Sequence, residues 1–216
     1  GAIAGNRTGW VALLREVATK VIGTTTVTYQ GETIDLGKPF DRLTMAEAIS
    51  KYNPMYHLAE LAKPEYLKVA LAPLDVEVFA SDGVGMLQLK LFEATTEDKL
   101  IQPTFIVAHP TDVSPLARAN DADPAVTDRF ELFIGGMELA NAYSELNDPV
   151  VQLERFKDQL HAREAGDAGL PFEGRAERVE RRERRLHDLG ADAVAGDEGR
   201  GDLLGGHGAR RLAQRG

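Results

Sequence analysis

Between Gly9 and Ile22 apolar residues recur at helical spacing, and a predicted helix there places Trp10, Leu13, Leu14, Val17 and Val21 on one face. The period then changes. TTTVTYQGETIDLG, residues 24–37, is β-branched with a turn signal at Gln30-Gly31, and it predicts a hairpin. Thr44 followed three residues on by Glu47 forms a capping-box pattern that opens a short helix ending at Tyr52. A further amphipathic helix is predicted over 84–98, then a strand, QPTFIVA, over 102–108. Pro110 and Pro115 frame a loop, and Asp148-Pro149 reads as an N-cap followed by proline at the first helical position. Strands and helices interleave irregularly and the best strand pair is antiparallel, so the pattern predicts an α+β fold rather than a doubly wound parallel sheet.

One stretch breaks the simple reading of polar residues as solvent-facing. RFELFIGGMELANAYSELNDP, residues 129–149, begins as a hairpin but sets Glu131, Glu138, Asn141 and Glu145 among Phe, Leu, Ile and Tyr. A two-residue turn at Gly135-Gly136 suits the positive φ such turns demand. The resulting register opposes Ile134 to Met137, Phe133 to Glu138 and Glu131 to Ala140, and it puts Glu131 and Glu138 on one face as diagonal neighbours. Two converging carboxylates repel unless one keeps its proton or a cation lies between them. A hard divalent ion such as Mg²⁺ suits them, since it prefers oxygen ligands and shares them with phosphate. Strict alternation would send Asn141, Tyr143 and Glu145 to the opposite face, whereas a bulge near Ala140–Asn141 would bring them round. The alternative is a solvated amphipathic hairpin whose glutamates meet only water.

The totals narrow the setting. No apolar run in the 216 residues approaches the length of a membrane span. Without cysteine there are no disulfides, thiolate metal sites or thiol nucleophile, and the histidines form no zinc-ligand spacing. A net charge of −9 argues against electrostatic capture of nucleic acid by the whole chain. That average hides a change of texture: residues 174–216 lack Lys, Ser, Thr, Ile, Phe, Tyr, Asn and Pro, yet ten of them are Arg. An out-of-frame reading of GC-rich DNA would explain this composition, and a disordered Arg/Gly/Ala tail is the other reading. Gly83-Val84-Gly85 is short for a phosphate loop and reads better as a helix start.

Three segments carry a resemblance: LIQPTFIVAHPTDVSPLAR (100–118), DPAVTDRFELFIGGMELANAYSELNDP (123–149) and QLERFKDQL (152–160). Together with VTYQGETIDLGKPFDRLTMAEAISKYNP (27–54) they resemble the catalytic domain of bacterial lysyl-tRNA synthetases. The resemblance covers residues 10–170, with 1–9 expected as a leader or tag and 171–216 as the aberrant tail. It implies an incomplete class II aminoacyl-tRNA synthetase-like core, an antiparallel sheet flanked by helices. It also implies an ATP-dependent ligase that activates lysine to lysyl-adenylate and transfers it to tRNA-Lys, in the cytoplasm and as a homodimer, with no membrane partner. Glu131 and Glu138 resemble the family's pair for ATP-associated Mg²⁺, and Glu138, Asn141, Tyr143 and Glu145 resemble its lysine-pocket residues, Glu145 facing the ε-ammonium. No protein nucleophile is implied.

The family's second signature, with an arginine that grips the ATP α-phosphate, is expected upstream of residue 10. The third, of the form G-x-G-x-D-R, is expected after the 149–165 helix. Neither stands in the sequence, and Ala108-His109 replaces the more usual acidic-aromatic pair before Pro110. The expectation is a fragment weak or inactive alone. Two other readings stay open: a non-catalytic lysine-binding module, and a lysyl-transferring paralogue acting on a protein lysine.

Overall fold

The Thr44 hydroxyl accepts from the Glu47 amide at 3.2 Å while the Glu47 carboxylate accepts from the Thr44 amide at 2.7 Å, so the capping box forms and opens helix α2, Met45–Tyr52. In this computed structural model residues 2–164 are described, with the side chains of 6–157. They fall within one unit, Gly1–Ala168; the other unit, Gly169–Gly216, lies outside the described residues, and with it the tail expected over 171–216.

Helix α1, Ala2–Ile22, begins seven residues before the predicted start at Gly9, so residues expected as a leader continue the helix. Arg7 even stacks over the Phe130 ring at 5.9 Å. The face it buries is also rotated from the expected one: Trp10, Val11 and Leu14 pack inward and Ala18 is buried, while Leu13, Val17 and Val21 are exposed. The hairpin β1 (Thr26–Tyr29) and β2 (Glu32–Asp35) turns at Gln30-Gly31 as predicted, with φ of 50° and 81°.

The main sheet has four strands in the order β3 (Asp41–Thr44), β4 (Thr104–Val107), β5 (Arg129–Ile134) and β6 (Met137–Tyr143). β4, β5 and β6 are antiparallel, as expected, but β3 pairs parallel to β4, so the sheet is mixed. A parallel pair needs a crossover, and helices α2, α3 (Pro64–Leu71) and α4 (Val84–Thr95) supply it. Neither β3 nor α3 was expected from pattern. Asp148 caps α5, Pro149–Glu164, accepting from the Val150 and Val151 amides at 2.9 and 3.2 Å.

Alternation divides the sheet. Phe105, Val107, Phe130, Leu132 and Ala140 form one face under α1, where the Phe105 and Phe130 rings meet edge-on at 5.3 Å. On the other face Ile106 and Phe133 pack into a cluster with α2, α3 and α4, including Met45, Ile49, Leu67, Leu71, Leu87, Leu91 and Phe92. That second face changes character along its length. Beside Ile106 stands Glu131, and from there the surface is polar.

Candidate active site

Gly135 and Gly136 turn the β5–β6 hairpin with φ of 64° and 70°, the left-handed pair that matches strand twist. A side chain at Gly136 would also meet the Asp98 carbonyl oxygen at 2.9 Å. Ile134 pairs with Met137 and Phe133 with Glu138, as the pattern predicts. Beyond them the register shifts: Leu132 pairs with Ala140 and Glu131 with Asn141, not with Ala140. Leu139 is therefore the extra residue of a bulge, one position before the expected one, and it projects outward at 48% exposure. The bulge absorbs the odd offset between Glu138 and Asn141, so both reach the face that carries Glu131.

The side chains confirm this convergence. The Asn141 Nδ2 donates to Glu131 Oε1 at 3.2 Å and to Glu138 Oε1 at 3.3 Å, so both carboxylates meet one amide nitrogen. Arg129, two residues before Glu131 on the same face, organises the group. Its Nη2 donates to Glu131 Oε1 at 2.5 Å, its Nε to Asn141 Oδ1 at 3.3 Å and its Nη1 to Ser114 Oγ at 2.9 Å. Donation to Asn141 Oδ1 fixes which way that amide faces, and so aims its NH₂ at the glutamates. With 18% of Arg129 and 12% of Glu131 side-chain surface exposed, the pair is poorly screened by water, and the guanidinium offsets the repulsion between the acids.

Tyr143 pairs with Arg129 across the strands and is 40% exposed. Glu145 lies two residues further, where the chain bridges to Ala117, and its side chain is exposed. No hydrogen bond joins Glu145 to Asn141 or Tyr143 among the described residues. Thus Glu131, Glu138 and Asn141 form a hydrogen-bonded set, while Tyr143 and Glu145 continue along the strand without being tied to it. Arg155 of α5 braces the loop beneath by donating to the carbonyls of Pro115 and Ala117 at 3.1 and 2.8 Å.

Two carboxylates converging on one point supply hard oxygen ligands and leave further positions for water or phosphate, which suits a Mg²⁺ ion better than a closed protein cage. Glu131 and Glu138 could supply two such oxygens, and among the described residues no group of three or more His, Asp or Glu is placed to hold a metal. The Gly83-Val84-Gly85 start of α4 is a helix start, as the simpler reading held. The Asp112 carboxylate occupies the slot, accepting from the Gly85 and Met86 amides, and an added Cβ on Gly85 would fall 2.0 Å from its Oδ1. Burial pushes the Asp112 carboxyl above its ordinary range despite those amides, although much of the residue's surface is open to water.

Arg129 and Ser114 carry no mark of their own in the sequence pattern, and His109 stands out there only as a departure from the family pattern with no role attached. Arg129 was within reach, because strand alternation alone puts it beside Glu131. Ser114 and His109 come from the loop after β4, and only tertiary structure brings them to β5.

The acids thus stand on the last two strands of a mostly antiparallel sheet backed by helices. The chain belongs to the class II tRNA synthetases of the D, K and N group, whose family model matches residues 8–170. Among curated relatives, the lysine–tRNA ligase of Thiobacillus denitrificans is 52% identical over 156 residues, 72% of this chain and 31% of that protein. The lysine–tRNA ligase of Nitrosomonas europaea is 54% identical over the same length, again 72% and 31%. That of Burkholderia multivorans is 51% identical over 159 residues. The chain therefore spans about a third of the length of the curated relatives it matches.

Proposed function

We propose that this chain carries the lysine-binding and metal-binding part of a lysine–tRNA ligase centre. The observation that supports the reading most directly is the Leu139 bulge, which brings Asn141 onto one face with Glu131 and Glu138. The names of relatives about half identical to it, lysine–tRNA ligases, favour lysine as the amino acid. ATP and tRNA-Lys as co-substrates, a cytoplasmic location and a homodimeric whole enzyme are parts of the same reading.

On this reading the lysine carboxylate attacks the ATP α-phosphorus and pyrophosphate leaves; a tRNA hydroxyl then attacks the lysyl carbonyl of the adenylate and AMP leaves. The work of the protein is positioning and electrostatics. Mg²⁺, when bound, supplies neutralisation of phosphate charge. Glu131 and Glu138 would hold it, and Arg129 and Asn141 keep those two carboxylates turned toward one point. Tyr143 offers a ring against the aliphatic stem of lysine, and Glu145 a carboxylate for its ε-ammonium. That pairing discriminates because an analogue without the amine would cover Glu145, exposed in the ligand-free chain, without giving its carboxylate a partner.

Calorimetric titration of this chain with L-lysine and with norleucine tests the reading. Lysine should bind, norleucine at least about 100-fold more weakly, and Glu145→Gln should remove the difference. Equal affinity for the two amino acids, or selectivity that survives Glu145→Gln, would sink it. ATP–pyrophosphate exchange on the same sample then separates a binding module from an activating enzyme.

A further inference from the structure

Behind the acidic pair lies a buried histidine. His109 is 2% exposed, and neither ring nitrogen has a hydrogen-bond partner among the described residues. Burying an imidazole that donates and accepts nothing costs on the order of 1–3 kcal/mol. The fold nonetheless goes to some length to keep the ring there. The chain leaves β4 through Ala108 at φ 52°, a left-handed conformation that non-glycine residues rarely adopt. The His109 carbonyl is then clamped by Thr127, whose amide and hydroxyl donate to it at 2.8 and 3.0 Å. A strained turn, a doubly anchored backbone and an unsatisfied buried ring together mark a group kept for its position.

That position is beside Glu131. The His109 Nε2 lies 3.4 Å from Glu131 Oε2, whereas Arg129 and Asn141 both donate to the other oxygen, Oε1. One carboxylate oxygen is thus gripped from the hairpin side and the second faces the imidazole. We propose that His109 is a positioning residue for Glu131: its Nε2–H donates to Oε2 and fixes the rotation of the carboxylate presented to the divalent ion. The contact needs only a proton on Nε2, which both the neutral ε-tautomer and the imidazolium carry. Closing 3.4 Å to hydrogen-bonding range takes a few tenths of an ångström of carboxylate movement, the scale of adjustment expected when a ligating oxygen engages a metal. Partners at this remove orient ligands and tune affinity, and their loss typically costs about 10–100-fold in metal binding.

The inference rests on the metal reading of Glu131 and Glu138, and two measurements on this chain keep the two apart. First, imidazole ¹⁵N–¹H NMR without metal should show a slowly exchanging Nε2–H whose resonance moves in Glu131→Gln. A bare Nε2 with the proton on Nδ1 overturns the assignment whatever metal does. Second, Mn²⁺ binding is followed by electron paramagnetic resonance in three variants. His109→Gln, which keeps a donor close to the Nε2 position, should stay within about three-fold of the parent, and His109→Leu should lose about ten-fold or more. Thermal unfolding supplies the readout that a packing role would not give. His109→Leu keeps the site filled, so its midpoint should stay near the parent's while its metal affinity falls. Equal Mn²⁺ affinity in parent and His109→Leu overturns the proposal, as does a fall in both quantities that His109→Gln does not rescue. If the parent binds no Mn²⁺ although Nε2–H responds to Glu131→Gln, the metal reading fails, and with it the purpose assigned to His109, while the contact stands.

Discussion

The two faces of the β5–β6 hairpin are built from the same fifteen residues and solve opposite problems. On the α1 side Phe130, Leu132 and Ala140 meet Phe105, Val107 and Trp10, and shape alone decides the fit. On the other side Arg129, Glu131, Glu138 and Asn141 are half-buried, and each polar atom has to find an opposite number. The apolar face tolerates any register that keeps its residues inward. The polar face does not, because Asn141 reaches the glutamates only if one residue is looped out between them. Stability is concentrated in the first face and specificity in the second.

Cutting into the apolar face should give the largest effect. Phe130→Ala empties a fully buried site beneath α1 and should cost about 3–5 kcal/mol in urea unfolding. A loss below about 1 kcal/mol would mean that the α1 contact is not a core. Next comes Arg129→Ala, which withdraws the main cation from a mostly buried carboxylate and should cost about 3 kcal/mol, less in the double variant with Glu131→Gln. Additive losses would show that the two residues do not act together.

Deleting Leu139 is a sharper probe with a smaller expected cost, within about 1 kcal/mol. It removes the bulge without changing any cross-strand partner, so Glu131 still opposes Asn141. Unchanged lysine selectivity would show that the bulge does no more than absorb the odd spacing between Glu138 and Asn141; loss of folding or of the Glu131–Asn141 pair by NMR would show that the hairpin needs the looped-out residue itself. The smallest effect belongs to Asp112→Asn. A carboxyl raised by burial disfavours the folded state once both forms ionise, so its penalty is absent below the unfolded pKa of about 3.9 and complete above the folded pKa. The variant should therefore gain midpoint temperature relative to the parent as pH rises from about 3 to 7, and a gain that shrinks over that range would contradict the shift.

What could be read from the sequence was local. Gly135-Gly136, Gln30-Gly31, the Thr44–Glu47 box and Asp148-Pro149 are each decided by residues within four positions of one another, and each appears as expected. β3 was invisible because Asp41-Arg42-Leu43-Thr44 has no alternation to find; its strand character comes from β4 alone. In α1 the apolar stripe is wider than the surface that covers it, so periodicity could not say that Trp10 and Leu14 would turn in and Leu13 and Val17 out. The acids of the site were legible by their oddity in an apolar run. Ser114, which braces Arg129, and His109, which faces Glu131, lie 17 and 22 residues before Glu131, and nothing local in the pattern ties them to it.

The parallel pairing of β3 with β4 bears on how the molecule assembles as well as on its shape. β3 ends at Thr44 and β4 begins at Thr104, with three helices between them. The β5–β6 hairpin is closed by two glycines and can form within about 1–10 μs, but its apolar face has nothing to rest on until β4 is in place. β4 in turn waits for a loop of some sixty residues to close, the slow kind of contact. During synthesis from the N-terminus the acids therefore emerge after β3 and β4, on the part that forms fastest. The hairpin brings its own arginine and amide to the two carboxylates, and only the buried ring of His109 has to wait for β4.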